Sequence, residues 1–326
     1  MRATTHLRGI GYALASSLMF GLGVVLASML GREIDAVIVG FLSLFTGGLL
    51  VALFLLLTGK PLFSSVLILK RRDWLALFLL ACPGTALPLL LIVAGLARTS
   101  ALVGGFLLQL NGVAALLFAV LLLGERIRLK QGLGTLLLLA GSVLVLLKSA
   151  QGGSGTSSLL GDGMVLAGAI GIGFSFIPAK RLSAHVDTLV LTALRLLLGA
   201  CTLLPVFIFQ LLANWHTLLW HPSPTTLLWV FPCYIVTNFC LGYLSQQEGF
   251  RLIKAWEVAA LTQTVPLFST LFAILLLRNN ITLLQIAGGL VAVLGGIVVS
   301  LNGEAPVSAA PSVASDNAEQ RTEASR

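Results

Sequence analysis

The sequence has little charge. Asp, Glu, Lys and Arg make up 10% of its 326 residues, against about 25% in a soluble globular domain. So few charged groups cannot solvate a compact soluble enzyme, and they argue against a disordered chain or a nucleic-acid partner. Cysteine is also scarce. Cys82, Cys201, Cys233 and Cys240 all fall in apolar stretches and form no CxxC pair, so neither a disulfide framework nor a zinc site is expected. The histidines His6, His185, His216 and His221 form no HExxH motif, and no Asp lies within an apolar run. Paired-aspartate proteolysis, intramembrane serine–histidine proteolysis and zinc chemistry therefore lack their residues. No enzyme, metal or cofactor is expected.

What is present is apolar. Hydrophobic residues make up 57% of the chain, and the mean hydropathy is +1.02. Apolar runs fall at 9–30, 37–57, 74–96, 100–123, 131–147, 163–179, 189–212, 227–247, 255–277 and 283–301. Most approach the roughly 20 residues that cross a bilayer as a helix. Runs such as Leu136-Leu137-Leu138-Leu139 do not alternate, so they are not barrel strands. The expected fold is an all-α integral membrane protein with ten transmembrane helices.

Basic residues set the orientation. With alternating spans, fifteen of the 20 Lys and Arg fall on the side of the N-terminus. Four (Arg32, Arg98, Lys148 and Arg278) fall on the other side, and Arg195 stays inside a run. The excess marks the N-terminal side as cytoplasmic, which predicts N-in and C-in in the plasma membrane. It also places the net charge of +8 without an acidic partner. The stretch QGGSGTSS reads as an extracytoplasmic linker over 149–160, residues 1–8 as a cytoplasmic N-terminus, and 302–326 as a disordered cytoplasmic tail.

The halves repeat. A shift of 154 residues places Gly95, Gln109, Gln131, Gly134 and Gly141 on Gly249, Gln263, Gln285, Gly288 and Gly295. A shift of 152 places Gly11, Ala15 and Gly21 on Gly163, Ala167 and Gly173. Each half holds five runs, an odd number, so the second half enters the membrane from the opposite side. Such inverted repeats are common in secondary transporters.

The repeats, at 9–148 and 161–301, resemble EamA domains of the drug/metabolite transporter superfamily. The resemblance rests on Thr99-Ser100-Ala101, Leu123-Gly124-Glu125-Arg126, Gln131, Gly134 and Ala140-Gly141 in the first half. In the second half it rests on Arg195, Pro266 and the Gly288/Gly295 pattern. It implies a ten-helix carrier that exports or imports small metabolites by alternating access. Against the family pattern, Asn111-Gly112 replaces a proline in helix four, Ser43 replaces an arginine in helix two, and the second repeat lacks the Gly-Glu pair.

Ionisable groups inside a membrane are costly, so they are the first site candidates. Arg195 lies about two turns into its helix; it either draws an anionic substrate group or snorkels. Glu257, one turn into the ninth run, either partners Arg195 and couples transport or sits at the positive end of its helix. Gln109, Asn111, Asn238 and Gln263 are mid-helix amides that either bind substrate or join helices. Gly112 and Pro266 hold matched positions that predict matched helix breaks at a transport site. Phe20 and Phe174 sit mid-helix as gates or packing, and Trp215, Trp220 and Trp229 read as an interfacial belt. The small-residue row Gly288, Ala292 and Gly296 suits close packing, within the chain or in a homodimer. The expected partners are thus a small-molecule substrate, membrane lipid and a possible second copy, with no nucleic acid. The substrate of such a secondary transporter would be amino-acid-like, an organic anion or drug-like. A lipid scramblase or non-transporting scaffold is the alternative.

Overall fold

The computed structural model describes residues 2–31, 33–59, 69–96, 98, 101–125, 127–149, 159–213, 220–277 and 283–301. Outside them lie most of the linker, the tail at 302–326, Thr99-Ser100, Arg32, Arg126, Trp215, His216 and the 278–282 loop with Arg278. The described chain is helical, with one isolated antiparallel bridge between Ile34 and Trp220. The helices are α1 (Arg2–Leu30), α2 (Ala36–Leu57), α3 (71–96), α4 (Ala101–Leu123), α5 (Leu129–Ser149), α6 (Leu159–Ser183), α7 (Thr188–Ala213), α8 (Thr226–Leu252), α9 (255–277) and α10 (Leu283–Leu301). Among the described residues, seven of these (α1, α2, α3, α6, α7, α8 and α9) are long and apolar enough to cross a membrane. The other three hold the shorter apolar stretches Leu107–Leu123, Gly132–Gly141 and Ile286–Gly295. Helix α1 starts at Arg2, well before the apolar run, so residues expected outside the first helix are helical.

The sides of these helices are sorted for lipid. Phe54, Leu57, Phe209, Leu212 and Trp229 are exposed, whereas Ser16, Ser17, Thr192, Arg195 and Gln247 are buried. A water-soluble fold would reverse this order. Helices suit such a surface because each satisfies its own backbone hydrogen bonds.

The principal packing contacts map onto themselves when α1–α5 are exchanged with α6–α10. Helix α1 packs on α8 and α9, and its mate α6 packs on α3 and α4. Helices α2 and α7 pack together, as do α5 and α10. The correspondence reaches single residues. A Cβ on Gly141 would run into the backbone of Gly288 and Ala292, and one on Gly295 into the backbone of Gly134 and Leu138. Gly21 meets Phe268 and Ser269, while Gly173 meets their repeat counterparts Ala114 and Ala115. Gly288 and Ala292 are therefore used inside the chain, where α10 closes on α5.

Two helices are irregular at matching places. Helix α3 widens to π geometry over Cys82–Ala86, and α8 does so over Ile235–Gly242. The 152-residue shift puts residues 83–86 on 235–238. In α3 the cause is local. Pro83 has no N–H and its ring crowds the preceding turn, and the Thr85 hydroxyl donates to the Leu80 carbonyl at 2.8 Å, a five-residue reach. The expected break at Asn111-Gly112 does not occur, because α4 is continuous through it. Helix α9 does break, at Gln263-Thr264, between Ala255–Thr262 and Val265–Leu277. An unbroken helix is the cheapest way to satisfy backbone in lipid, and Gly112 serves clearance instead: a Cβ there would overlap the Gln263 side chain.

Candidate functional site

The π segments and the α9 break surround a cavity of about 430 Å³ between the two halves. Its walls include Phe20 from α1, Thr85 from α3, Gln109 and Asn111 from α4, Arg195 from α7, Asn238 and Tyr243 from α8, and Pro266 from α9. Six of the residues singled out in the sequence thus meet here: Phe20, Gln109, Asn111, Arg195, Asn238 and Pro266.

Arg195 is 3% exposed, so it does not snorkel. Its Nε donates to Thr85 Oγ1 at 2.9 Å, and its guanidinium carbon lies 4.2 Å from the centre of the Tyr243 ring. Burying a charge is tolerable only with such partners, and an arginine over an aromatic face gains from the ring's quadrupole. Its Nη1 is buried without a partner among the described residues, as is the Nε2 of Gln109, a residue 8% exposed. Ser43 falls on Arg195 under the 152-residue shift, so only one half contributes a charge here. Aromatic rings form the rest of the wall: Phe20 meets Tyr243 edge-on at 5.4 Å, and Tyr234 meets Phe239 likewise at 5.3 Å.

The other sequence candidates lie elsewhere. Gly112 and Gln263 line a separate lateral crevice of about 370 Å³ between α4 and α5, lined mainly by Leu, Val and Gly with Arg128 and Thr135. Gln263 Nε2 makes a long 3.5 Å contact with Asn111 Oδ1. Phe174 packs edge-on against Phe118 at 5.7 Å, outside the central cavity. Glu257 does not partner Arg195. Helix α1 brings His6 to it, with Nε2 3.0 Å from Glu257 Oε2, because α1 extends further toward the N-terminus than the apolar run.

His6 and Glu257 belong to a polar cluster around the α8–α9 junction. Glu125 accepts from the backbone N–H groups of Ala255 at 3.0 Å and Trp256 at 3.1 Å, capping α9 from the first half. Lys180 Nζ donates to the carbonyls of Phe250 and Ile253, the latter at 2.6 Å, at the end of α8. A second tie sits past the far end of α1. Glu33 Oε2 accepts from Ser223 N–H at 2.7 Å, and the Glu33 carbonyl accepts from His221 N–H at 2.9 Å. The Ser223 N–H holds the Glu33 carboxyl below its ordinary pKa.

Sequence reasoning missed Thr85, Tyr243 and His6. A signal for Tyr243 existed: the chain has three tyrosines, and two of them, Tyr234 and Tyr243, line the cavity. For Thr85 the signal was Pro83-Gly84 inside an apolar run.

The profile of the EamA-like transporter family matches residues 7–147 and again 159–301. The chain belongs to the EamA-like transporter family. The two matches fall on the two packed halves. An uncharacterized transporter of Methanothermobacter thermautotrophicus is 28% identical over 240 residues, 72% of this chain and 67% of that protein. The uncharacterized transporter YetK of Bacillus subtilis is 24% identical over 239 residues, 72% of this chain and 69% of its own. A solved crystal structure superposes with a TM-score of 0.72 at 19% identity, covering 92% of this chain and 98% of the other; that likeness is one of fold. As an EamA-like protein with several apolar helices of spanning length, the chain is an integral, multi-pass membrane transporter of the drug/metabolite type.

Proposed function

We propose that this EamA-like protein is a secondary carrier that moves a small organic solute across the cytoplasmic membrane by alternating access. Ten spans form two inverted sets of five, with both termini inside, and the two sets rock about the central cavity. The observation that carries this reading is a cavity walled by both halves and holding a buried arginine. Its volume of about 430 Å³ falls within the roughly 300–1,000 Å³ of small-molecule sites. Helix irregularities at matching positions supply the flexible backbone such sites use. The lateral crevice is mainly apolar and offers a lipid head group few partners, which favours a carrier over a scramblase.

The test places a cysteine at Ser269, a cavity-lining residue, in a chain whose four native cysteines are replaced by alanine. A membrane-impermeant thiol reagent should label it from either face of reconstituted vesicles. Labelling from one face only, under every solute condition, overturns alternating access.

A further inference from the structure

Among the described residues lining the central cavity, Arg195 is the one charged side chain, and no carboxylate is present. The Arg195 charge is held by a neutral hydroxyl and an aromatic face, neither of which neutralises it. Two N–H groups on residues that line this cavity, Arg195 Nη1 from α7 and Gln109 Nε2 from α4, are buried without acceptors among the described residues. Both side chains are more than nine-tenths buried. Buried donors without acceptors are costly, and a buried arginine pairs best with a planar oxyanion. The remaining wall is largely aromatic and aliphatic, with Phe20, Phe176, Phe239 and Tyr243 among its rings.

From these observations we infer that the cavity takes an organic monocarboxylate with an aromatic or apolar body. The carboxylate faces Arg195 and Gln109, and the body lies among the rings. This rests on the central cavity being the transport site. Charge parity sets the class. One buried cation neutralises one negative charge, so a dicarboxylate or a doubly charged phosphate carries an unpaired charge into a low-dielectric site. The ammonium of an amino acid finds no carboxylate among the described lining residues, only neutral hydroxyl, amide and carbonyl oxygens and ring faces, and a cationic amine meets the like charge of Arg195. Of the two halves, only the second supplies an arginine at this position, since Ser43 stands at the matching place. That asymmetry keeps the site singly charged.

The experiment holds the ring constant and varies the charge. Binding of 3-phenylpropionate, phenylalanine, phenethylamine and phenylsuccinate to the full chain in lipid nanodiscs is measured by calorimetry. The monoanion should bind at least tenfold tighter than the zwitterion, the cation or the dianion. Arg195→Gln should weaken it at least tenfold, and Gln109→Leu severalfold. If another member of the series binds as tightly, or none binds, the assigned class is wrong. The ordering on the unaltered chain and the Gln109→Leu result decide the matter even if Arg195→Gln fails to fold. Labelling of the Ser269 cysteine separates the two failures. Access from both faces with no preference for the monoanion overturns the substrate class and leaves the carrier. A monoanion preference with access from one face overturns the carrier and leaves the site.

Discussion

A threonine hydroxyl has one hydrogen, and at Thr85 that hydrogen is committed to the Leu80 carbonyl, so the oxygen is left to accept from Arg195 Nε. Thr85 therefore fixes which edge of the guanidinium faces the cavity. It is a positioning residue, and Thr85→Val keeps its shape while removing the acceptor. A hydrogen bond to a charged group is worth about 1.5–3 kcal/mol. We expect Thr85→Val to weaken carboxylate binding by about tenfold, the low end of that range, whereas Thr85→Ser stays within about twofold. Calorimetric titration of both variants checks this, and equal losses in Val and Ser would show that the hydroxyl is irrelevant. Arg195 was legible in the sequence because it is the one basic residue deep in an apolar run. Thr85 was not, because threonines in apolar helices commonly bond back to their own turn, and its second contact lies 110 residues away. Gln263, the repeat mate of Gln109, sits at the break in α9 and lines the lateral crevice.

At the scale of elements, the α8–α9 junction depends on groups far from it in sequence. Glu125 supplies acceptors for two N–H groups that the first turn of α9 leaves unmade. Removing a capping acceptor costs about 0.5–2 kcal/mol, so Glu125→Ala should lower the thermal midpoint measured in detergent. Glu125→Gln, which keeps an acceptor, should lower it less. The Gly-Glu pair was legible as a family signature, but its job was not, because capping is a tertiary contact. The helix breaks show the same limit. The sequence pointed to Asn111-Gly112 and Pro266: α9 does break just before Pro266, α4 runs unbroken through Asn111-Gly112, and the matched irregularities are the π segments of α3 and α8. A glycine inside an apolar run reads as a weak point, yet what Gly112 gives is room for its neighbour. Of the small-residue row of α10, Gly288 and Ala292 form a close-packing face against α5.

For the whole molecule, the two-repeat architecture was legible from glycine spacing, because close helix contacts must recur in both halves. The ties that break the symmetry were hidden. Helix α1 has 29 residues, about 43 Å at 1.5 Å per residue, enough to span a bilayer. The His6–Glu257 pair near its start and the Glu33–Ser223 tie past its end therefore sit at opposite ends of a helix of spanning length. Both are made in the structure. In the proposed carrier, which opens to one face at a time, ties at the two ends of α1 would bias one equilibrium in opposite directions. His6→Ala should raise labelling of the Ser269 cysteine from the N-terminal face, and Glu33→Ala should raise it from the other. The sites share no partners, so the double variant should return toward the parent ratio. Acid has a defined sign as well. The Glu33 carboxyl is held below its ordinary pKa, so its tie persists at neutral pH and loosens only as pH falls through that lowered value. Strong acidification on the Glu33 side should then mimic Glu33→Ala and have no effect in that variant. If the two single variants shift labelling toward the same face, the ties are general staples and do not belong to opposite ends of one switch.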